Sequence, residues 1–114
     1  MPFIHVTTSA VVSDEQKRVM ENRLSDAISL IPGKSDRYLM LAVQDGVSMM
    51  FHRETANPIA MVEVKIFGSA SRDAYAALTA AVCDIMRDEA GVDGADCYVK
   101  FEECANWGYH SSLF

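Results

Sequence analysis

Residues 58–68 read PIAMVEVKIFG, and this stretch decides the fold class of the chain. Apolar residues alternate from Ala60 to Ile66, which is the period of a β-strand with one face against a core. The opposite face carries a second apolar set, namely Ile59, Met61 and Phe67. A strand that is apolar on both faces predicts a sheet buried between two layers.

The N-terminus repeats the start of this stretch. Residues 2–6 read PFIHV and align with its first five letters, and the same offset places Ser13 on Ser69, near the starts of two helices. The matching order of elements predicts two copies of one β-α-β unit, at about residues 1–57 and 58–114. At 114 residues, both copies belong to one domain.

Two amphipathic helices are predicted. Ser13 and Gln16 form a capping box at the start of the first helix, and the Pro-Gly pair at 32–33 ends it. The second helix begins near Ser71 and ends around Gly91. One apolar stripe on each helix needs a sheet beneath it. The stripes are Met20, Leu24, Ala27, Ile28 and Ile31 in the first helix and Tyr75, Leu78, Val82, Ile85 and Met86 in the second.

Strand-forming residues indicate four strands that alternate with the helices. These are Pro2 to Thr7, Arg37 to Val43, Ile59 to Phe67 and Cys97 to Glu102, with a weaker short strand at Val47 to Phe51. Right-handed crossovers place both helices on one face, so we expect an α+β fold with a four-stranded mixed sheet. The second strand is also apolar at both parities, so the uncovered face should be covered by other subunits.

Composition limits the classes of function. A formal net charge of -6 and a pI near 4.9 argue against a nucleic-acid binder or a partner of anionic membranes. The chain lacks a spanning apolar run and a signal peptide, so we expect a cytoplasmic protein. Three cysteines without Cys-x-x-Cys spacing and three scattered histidines predict reduced structural thiols and no metal site.

Short motifs follow one another along the chain. They are Met1-Pro2-Phe3, Gly33-Lys34 with Tyr38, Pro58-Ile59-Ala60-Met61, Gly68, Arg72 with Tyr75, Tyr98, and Asn106-Trp107-Gly108-Tyr109 with Phe114. In this order and spacing the chain resembles, nearly end to end, the macrophage migration inhibitory factor (MIF) family of the tautomerase superfamily, which includes D-dopachrome tautomerase. The resemblance implies a homotrimer whose sheets line a central channel, with each active site between two subunits.

The resemblance makes Pro2 the catalytic residue, provided that removal of Met1 exposes its nitrogen as a secondary amine. An α-amino group ordinarily titrates near ~7.7–8.0, and burial or a nearby cation lowers that pKa. The neutral amine is then a competent base at physiological pH. Lys34 matches a lysine beside the proline, where it would hold a substrate carboxylate and lower the pKa of the proline.

The resemblance also implies the walls of the pocket. Tyr38 and Phe67 match positions on the same subunit, whereas Tyr98 and Lys100 match positions that the neighbouring subunit contributes. Lys100 departs from the family, which has an amide there, so it would add affinity for anions or change substrate preference. The outer rim is expected to contain Trp107, Tyr109 and Phe114.

The implied function is that of an isomerase, a keto–enol tautomerase of the phenylpyruvate or dopachrome type, which needs no cofactor or metal. Pro2 removes the proton next to the ketone of an α-keto acid, and a proton returns to the other end of the enolate. Lys34 stabilises the developing negative charge. A thiol–disulfide activity does not transfer, because Ile59-Ala60-Met61-Val62 replaces the Cys-x-x-Cys of the vertebrate cytokine.

Three other functions stay open. A related superfamily isomerase that acts on a dicarboxylate would use Lys34, Arg37, Lys65 and Lys100 together. A non-catalytic trimer with a cytokine-like binding or signalling role would retain Met1. A ferredoxin-like regulatory domain shares the order of elements but does not account for the motifs. Secretion without a signal peptide also stays open by analogy with the family.

Overall fold

The helices and strands alternate in the order that the sequence predicts. The computed structural model describes residues 1–114. Its main elements are β1 (Pro2–Thr8), α1 (Asp14–Ala27), β2 (Met40–Gln44), β3 (Ala60–Phe67), α2 (Arg72–Ala90), β4 (Cys97–Cys104), β5 (Gly108–Tyr109) and β6 (Ser112–Leu113).

One mixed sheet contains the first four strands, in the spatial order β2-β1-β3-β4. The strands of each β-α-β half are parallel, and the halves meet where β1 and β3 pair antiparallel. In that central pairing Pro2 lies opposite Ile66, and Thr8 lies opposite Ala60. The predicted α+β fold is therefore confirmed. That the halves are copies of one ancestral unit stays a prediction.

The core lies between this sheet and the two helices. Alternate residues of β1 and β3, such as Ile4 and Val64, are fully buried beneath helical residues such as Leu24 and Leu78. Seventeen buried side chains form one continuous cluster. The period-2 pattern of the strands and the helical stripes therefore point into the same layer, because each can leave water only against the other.

Three of the four helix ends form as the sequence predicts, whereas α1 ends at Ala27 and not at the Pro32-Gly33 pair, because Ile28–Leu30 form a 3-10 turn. The Ser13 side chain accepts a hydrogen bond from the backbone N–H of Gln16 at 3.1 Å, which completes the capping box. At the end of α2, Gly91 adopts a left-handed φ of 67° and its N–H donates to the carbonyl of Arg87. Neither helix has the length together with the apolar character needed to cross a membrane.

The sequence-based prediction of the strands differs from the structure in three places. The second strand begins at Met40, not at Arg37, because Asp36–Tyr38 form a 3-10 turn that is capped by the Ser35 side chain. Residues 47–51 form no strand and contribute only one isolated bridge, between Phe51 and Glu54. The C-terminal hairpin of β5 and β6 was not predicted, because two-residue strands leave no periodic pattern.

The uncovered face of the sheet is mixed rather than wholly apolar. Met61 and Phe67 lie on it, as the sequence predicts, together with Phe3 and Met40. Its middle, however, carries charged side chains, and His5 Nδ1 lies 3.7 Å from Glu63 Oε1. Neighbouring strands place these residues side by side, because the side chains that alternate outward in each strand fall into rows across the sheet.

The three cysteines are all unpaired, and their environments differ. Burial, followed by the neighbouring Cys83 thiol, raises the pKa of the Cys97 thiol to about 12. The Cys97 side chain therefore stays a protonated, weakly nucleophilic part of the core, as the sequence predicts for these thiols.

Replacing Leu24 by Ala is expected to lower the free energy of unfolding by about 2–5 kcal/mol, because it opens a cavity under a fully buried side chain. Val19→Ala is the matched control in the same helix, since Val19 is 40% exposed, and it should change stability by less than about 1 kcal/mol. Denaturant titrations at one fixed protein concentration measure both changes. Equal losses in the two variants would contradict the described core.

Candidate active site

A concave pocket of about 870 Å³ opens where β1 begins. Three segments line it, namely residues 1–3, 37–40 and 106–109. Seven of its eleven lining residues are hydrophobic. None of the eleven is acidic, although the chain as a whole carries a net negative charge. A mostly apolar cavity with a few polar groups and no carboxylate favours a small ligand that carries negative charge.

The sheet and the C-terminal hairpin bring these segments together. Phe3 lies opposite Met40 in the parallel pairing of β1 with β2, which sets the first two segments side by side. The third segment is fixed by the N–H of Phe114, which donates to the carbonyl of Trp107 at 2.8 Å. The ring of Tyr109 then meets the edge of the Tyr38 ring, with their centroids 5.7 Å apart.

The N-terminal amine lies in a confined, positively charged environment. Pro2 is buried, and the backbone N–H of Phe67 donates to the carbonyl of Met1 at 3.0 Å. Lys34 Nζ donates to the carbonyl of Phe67 at 2.8 Å. Burial, and then the charge and hydrogen bonding of Lys34, lower the pKa of the Met1 α-amino group from its ordinary value of 8.0.

This environment increases the uncharged fraction of the Met1 amine at any given pH, because it lowers the pKa of that amine. An amine with a lowered pKa has a free lone pair and can accept a proton, so the N-terminus of this chain has the properties of a general base. No group of three or more His, Cys, Asp and Glu side chains is arranged to hold a metal ion.

Six of the predicted site residues lie around this pocket. Pro2, Tyr38, Trp107 and Tyr109 line it directly. Lys34 and Phe67 lie behind the N-terminus, joined to each other and to Met1 by the hydrogen bonds described above. The ring of Phe114 packs beside Phe67, with centroids 6.1 Å apart.

Tyr98 and Lys100 lie elsewhere in the chain. Tyr98 pairs with Met61, whereas Pro2 pairs with Ile66. Tyr98 and Pro2 are therefore separated by about five residues along β3, or roughly 17 Å. The Tyr98 ring instead packs edge-on against Phe51 at a centroid distance of 4.9 Å. Lys100 Nζ forms an ion pair with Glu102 Oε1 at 3.0 Å, which raises the pKa of Lys100.

Several lining residues were not assigned to the site from the sequence. Phe3, Leu39, Met40 and Asn106 give no individual signal, because apolar strand residues and a loop amide are common everywhere. The sequence indicates Arg37 only for the alternative function of a dicarboxylate isomerase, together with three lysines. Its position in the lining could be found only with the 3-10 turn, which the strand prediction missed.

The family profile described as Macrophage migration inhibitory factor (MIF) matches residues 1–114. The predicted resemblance is therefore confirmed over the whole chain. A sequence comparison with curated proteins found no match.

Solved structures share the fold. MIF2 from Leishmania major superposes with a TM-score of 0.92 at 22% identity, covering 100% of this chain and 97% of that chain. The MIF homologue from Prochlorococcus marinus gives 0.86 at 26% identity, with 98% of each chain covered. A fused 4-OT wild-type symmetric trimer gives 0.85 at 21% identity, covering 97% and 94%. This chain thus shares its fold with the 4-OT trimer as well as with MIF homologues.

Replacing Lys34 by Met removes the cation that lies beside the N-terminal amine. The pKa of that amine should rise toward 8.0 but stay below it, because burial is the larger cause of the shift and remains. A pH titration of the ¹⁵N-labelled N-terminus by NMR measures this pKa. The exposed, unpaired Arg18 provides the control, since Arg18→Gln removes one positive charge outside the pocket. An unchanged or lower pKa in the Lys34 variant would contradict the assignment.

Proposed function

The chain belongs to the macrophage migration inhibitory factor family, and on that premise we propose that it is a keto–enol tautomerase with Pro2 as its general base. The observation that carries the proposal is the position of Pro2, buried at the pocket beside the lowered-pKa amine and Lys34. The activity requires removal of Met1, because the nitrogen of Pro2 is otherwise an amide without basicity.

Removal of Met1 turns the nitrogen of Pro2 into the N-terminal amine. It lies one residue further into the surroundings that already lower the pKa of the Met1 amine, so the same causes, burial first and Lys34 second, act on it. These causes increase the uncharged fraction of the secondary amine at a given pH, and the uncharged amine can accept a proton. Activity is expected to fall as the pH decreases through the pKa of this amine.

Removal of Met1 also releases a hydrogen-bond donor. The N–H of Phe67 no longer donates to the Met1 carbonyl, and this donor remains close to Lys34, which contacts the carbonyl of the same residue. A carboxylate oxygen of the substrate replaces the lost carbonyl. The N–H of Phe67 and the ammonium of Lys34 then bind one carboxylate with charge-assisted hydrogen bonds.

A bound α-keto acid would have its reactive carbon beside Pro2. The amine takes a proton from the carbon next to the ketone, and the electron pair of that C–H bond moves onto the ketone oxygen as an enolate. A proton then returns to the oxygen, so the net change moves one hydrogen and needs no cofactor. Lys34 stabilises the negative charge that develops. The rings of Tyr38, Trp107 and Tyr109 suit an arylpyruvate such as phenylpyruvate.

Assembly into a homotrimer completes the proposed site. Within one chain, Tyr98 lies roughly 17 Å from Pro2 along the sheet, which is too far to contact the same small substrate, and Lys100 does not line the pocket. In a closed ring of subunits, the sheet of a neighbour can supply both residues to the pocket. The partly apolar uncovered face of the sheet and the trimeric 4-OT neighbour support this arrangement.

The decisive measurement combines intact mass with an ultraviolet assay of phenylpyruvate ketonisation. The mass of the native protein should be lower than that of the full sequence by one methionine. Pro2→Gly should lower kcat/KM by up to about 100-fold, because the base becomes a flexible primary amine that the proline ring no longer holds in place. Pro58→Gly is the matched control, since Pro58 is exposed and stands at the corresponding position of the second β-α-β half.

Two outcomes would count against the proposal. Processed protein that turns over neither phenylpyruvate nor other α-keto acids would favour a non-catalytic binding protein. Equal losses in the Pro2 and Pro58 variants would indicate that the loss comes from damage to the fold, and not from the change in the base.

Subunit mixing tests whether Pro2 and Tyr98 act from different chains. Pro2→Gly and Tyr98→Ala should each be weakly active alone. After joint refolding in equal amounts, about a quarter of the sites should combine an intact Pro2 with an intact Tyr98, if the two come from adjacent subunits at random. Activity should recover accordingly. No recovery, in mixed trimers verified by mass spectrometry, would rule out the shared site.

A further inference from the structure

Arg37 is a cation without a carboxylate partner. It is exposed at the pocket lining, and it takes part in none of the ion pairs of the chain. The chain has 16 acidic residues against 10 basic ones, yet none of the acidic ones lines this pocket. The guanidinium of Arg37 is therefore free to bind an anion from solution.

The local structure fixes the base of the Arg37 side chain. The backbone N–H of Arg37 donates to the Ser35 hydroxyl at 3.4 Å, at the start of the 3-10 turn. Its Cζ lies 5.2 Å from the centroid of the Tyr38 ring. A guanidinium held against an aromatic wall loses less freedom on binding, and its planar donors suit a carboxylate.

Arg37 and Lys34 occupy different parts of the site. Lys34 Nζ is bound to the Phe67 carbonyl behind the N-terminus, whereas Arg37 lies along the aromatic wall with Tyr38. One anionic group of a ligand can thus contact Lys34 while a second, at the far end of the same ligand, contacts Arg37. A ligand with a single carboxylate leaves one of these cations unused.

The other cations considered from the sequence do not complete this arrangement within the chain. Lys65 Nζ lies 3.9 Å from Glu63 Oε2, and Lys100 Nζ lies 3.0 Å from Glu102 Oε1. Both have an acidic neighbour that already offsets their charge, and neither lines the pocket. Of these three cations, Arg37 is therefore the one that is available in the pocket to bind a second anionic group of a ligand.

We propose that Arg37 is a specificity-determining residue that binds a second carboxylate of the substrate, remote from the keto acid group. The preferred substrate class is then α-keto acids that carry a distal carboxylate, rather than simple arylpyruvates. This inference rests on the proposed tautomerase function of the same pocket. It assigns to Arg37 a role in binding, without part in the proton transfer.

A matched pair of substrates tests the inference, namely phenylpyruvate and 4-carboxyphenylpyruvate, which differ only by a carboxylate on the far side of the ring. The wild-type kcat/KM should favour the carboxylated compound by about tenfold, the size of a charge-assisted hydrogen bond at an exposed site. Arg37→Gln should abolish this preference. Arg37→Lys should keep part of it, because it retains the charge but loses the bidentate geometry.

Two further readouts separate a specific contact from general attraction. Arg18→Gln removes a positive charge from an exposed, unpaired arginine on α1 and should leave the substrate preference as in the wild type. The preference should decrease with added salt, since the guanidinium is exposed to solvent. A preference lost equally in the Arg18 and Arg37 variants would overturn the assignment.

The experiment distinguishes failure of this inference from failure of the tautomerase function. Turnover of phenylpyruvate with no preference for the carboxylated compound, or with a preference that survives Arg37→Gln, overturns the role of Arg37 alone. If neither compound is turned over, calorimetric titration of both compounds decides the inference by affinity. Tighter binding of 4-carboxyphenylpyruvate that requires Arg37 supports it, and equal affinities overturn it.

Discussion

The antiparallel pairing of β1 with β3 is the constraint on which the rest of this protein depends. It joins the two β-α-β halves at the centre of the sheet and sets Pro2 opposite Ile66. Because the next residue along β3 is Phe67, the same register brings the backbone of Phe67 against the N-terminus and lets Lys34 reach its carbonyl. A shift by one residue would turn the strand's buried side chains outward. The register of β1 against β3 therefore determines both the packing of the core and the arrangement of the site.

The pocket contains basic groups and no carboxylate, whereas the chain as a whole carries a net negative charge. Five of the ten basic residues lie close to carboxylates, as Lys17 does to Asp45 and Arg23 does to Asp88. Lys34 instead donates to a backbone carbonyl, which leaves its charge uncompensated next to the terminal amine. Burial and then this uncompensated charge lower the pKa of the amine, and the same charge makes the pocket attractive to anions.

Much of the fold could be predicted, because its signals are local. The capping box at Ser13, the left-handed end at Gly91 and the alternation along β3 each act over a few residues. The errors lie where local patterns compete. Residues 37–39 are compatible with a strand, yet the Ser35 side chain caps a 3-10 turn there. The charged middle of the uncovered face was missed because the apolar residues on either side dominated the pattern.

The sequence by itself determined the α+β class, the two helices with three of their four ends, and Pro2, Lys34 and the aromatic residues as the candidate site. Local periodicity, capping chemistry and family resemblance carry that information along the chain. Only the tertiary structure decided that Lys34 binds the carbonyl of Phe67, that Arg37 joins the pocket, and that Tyr98 lies at the far end of the sheet. The physical reason is strand register, because it sets distances between residues that are remote in sequence, and no local pattern encodes those distances.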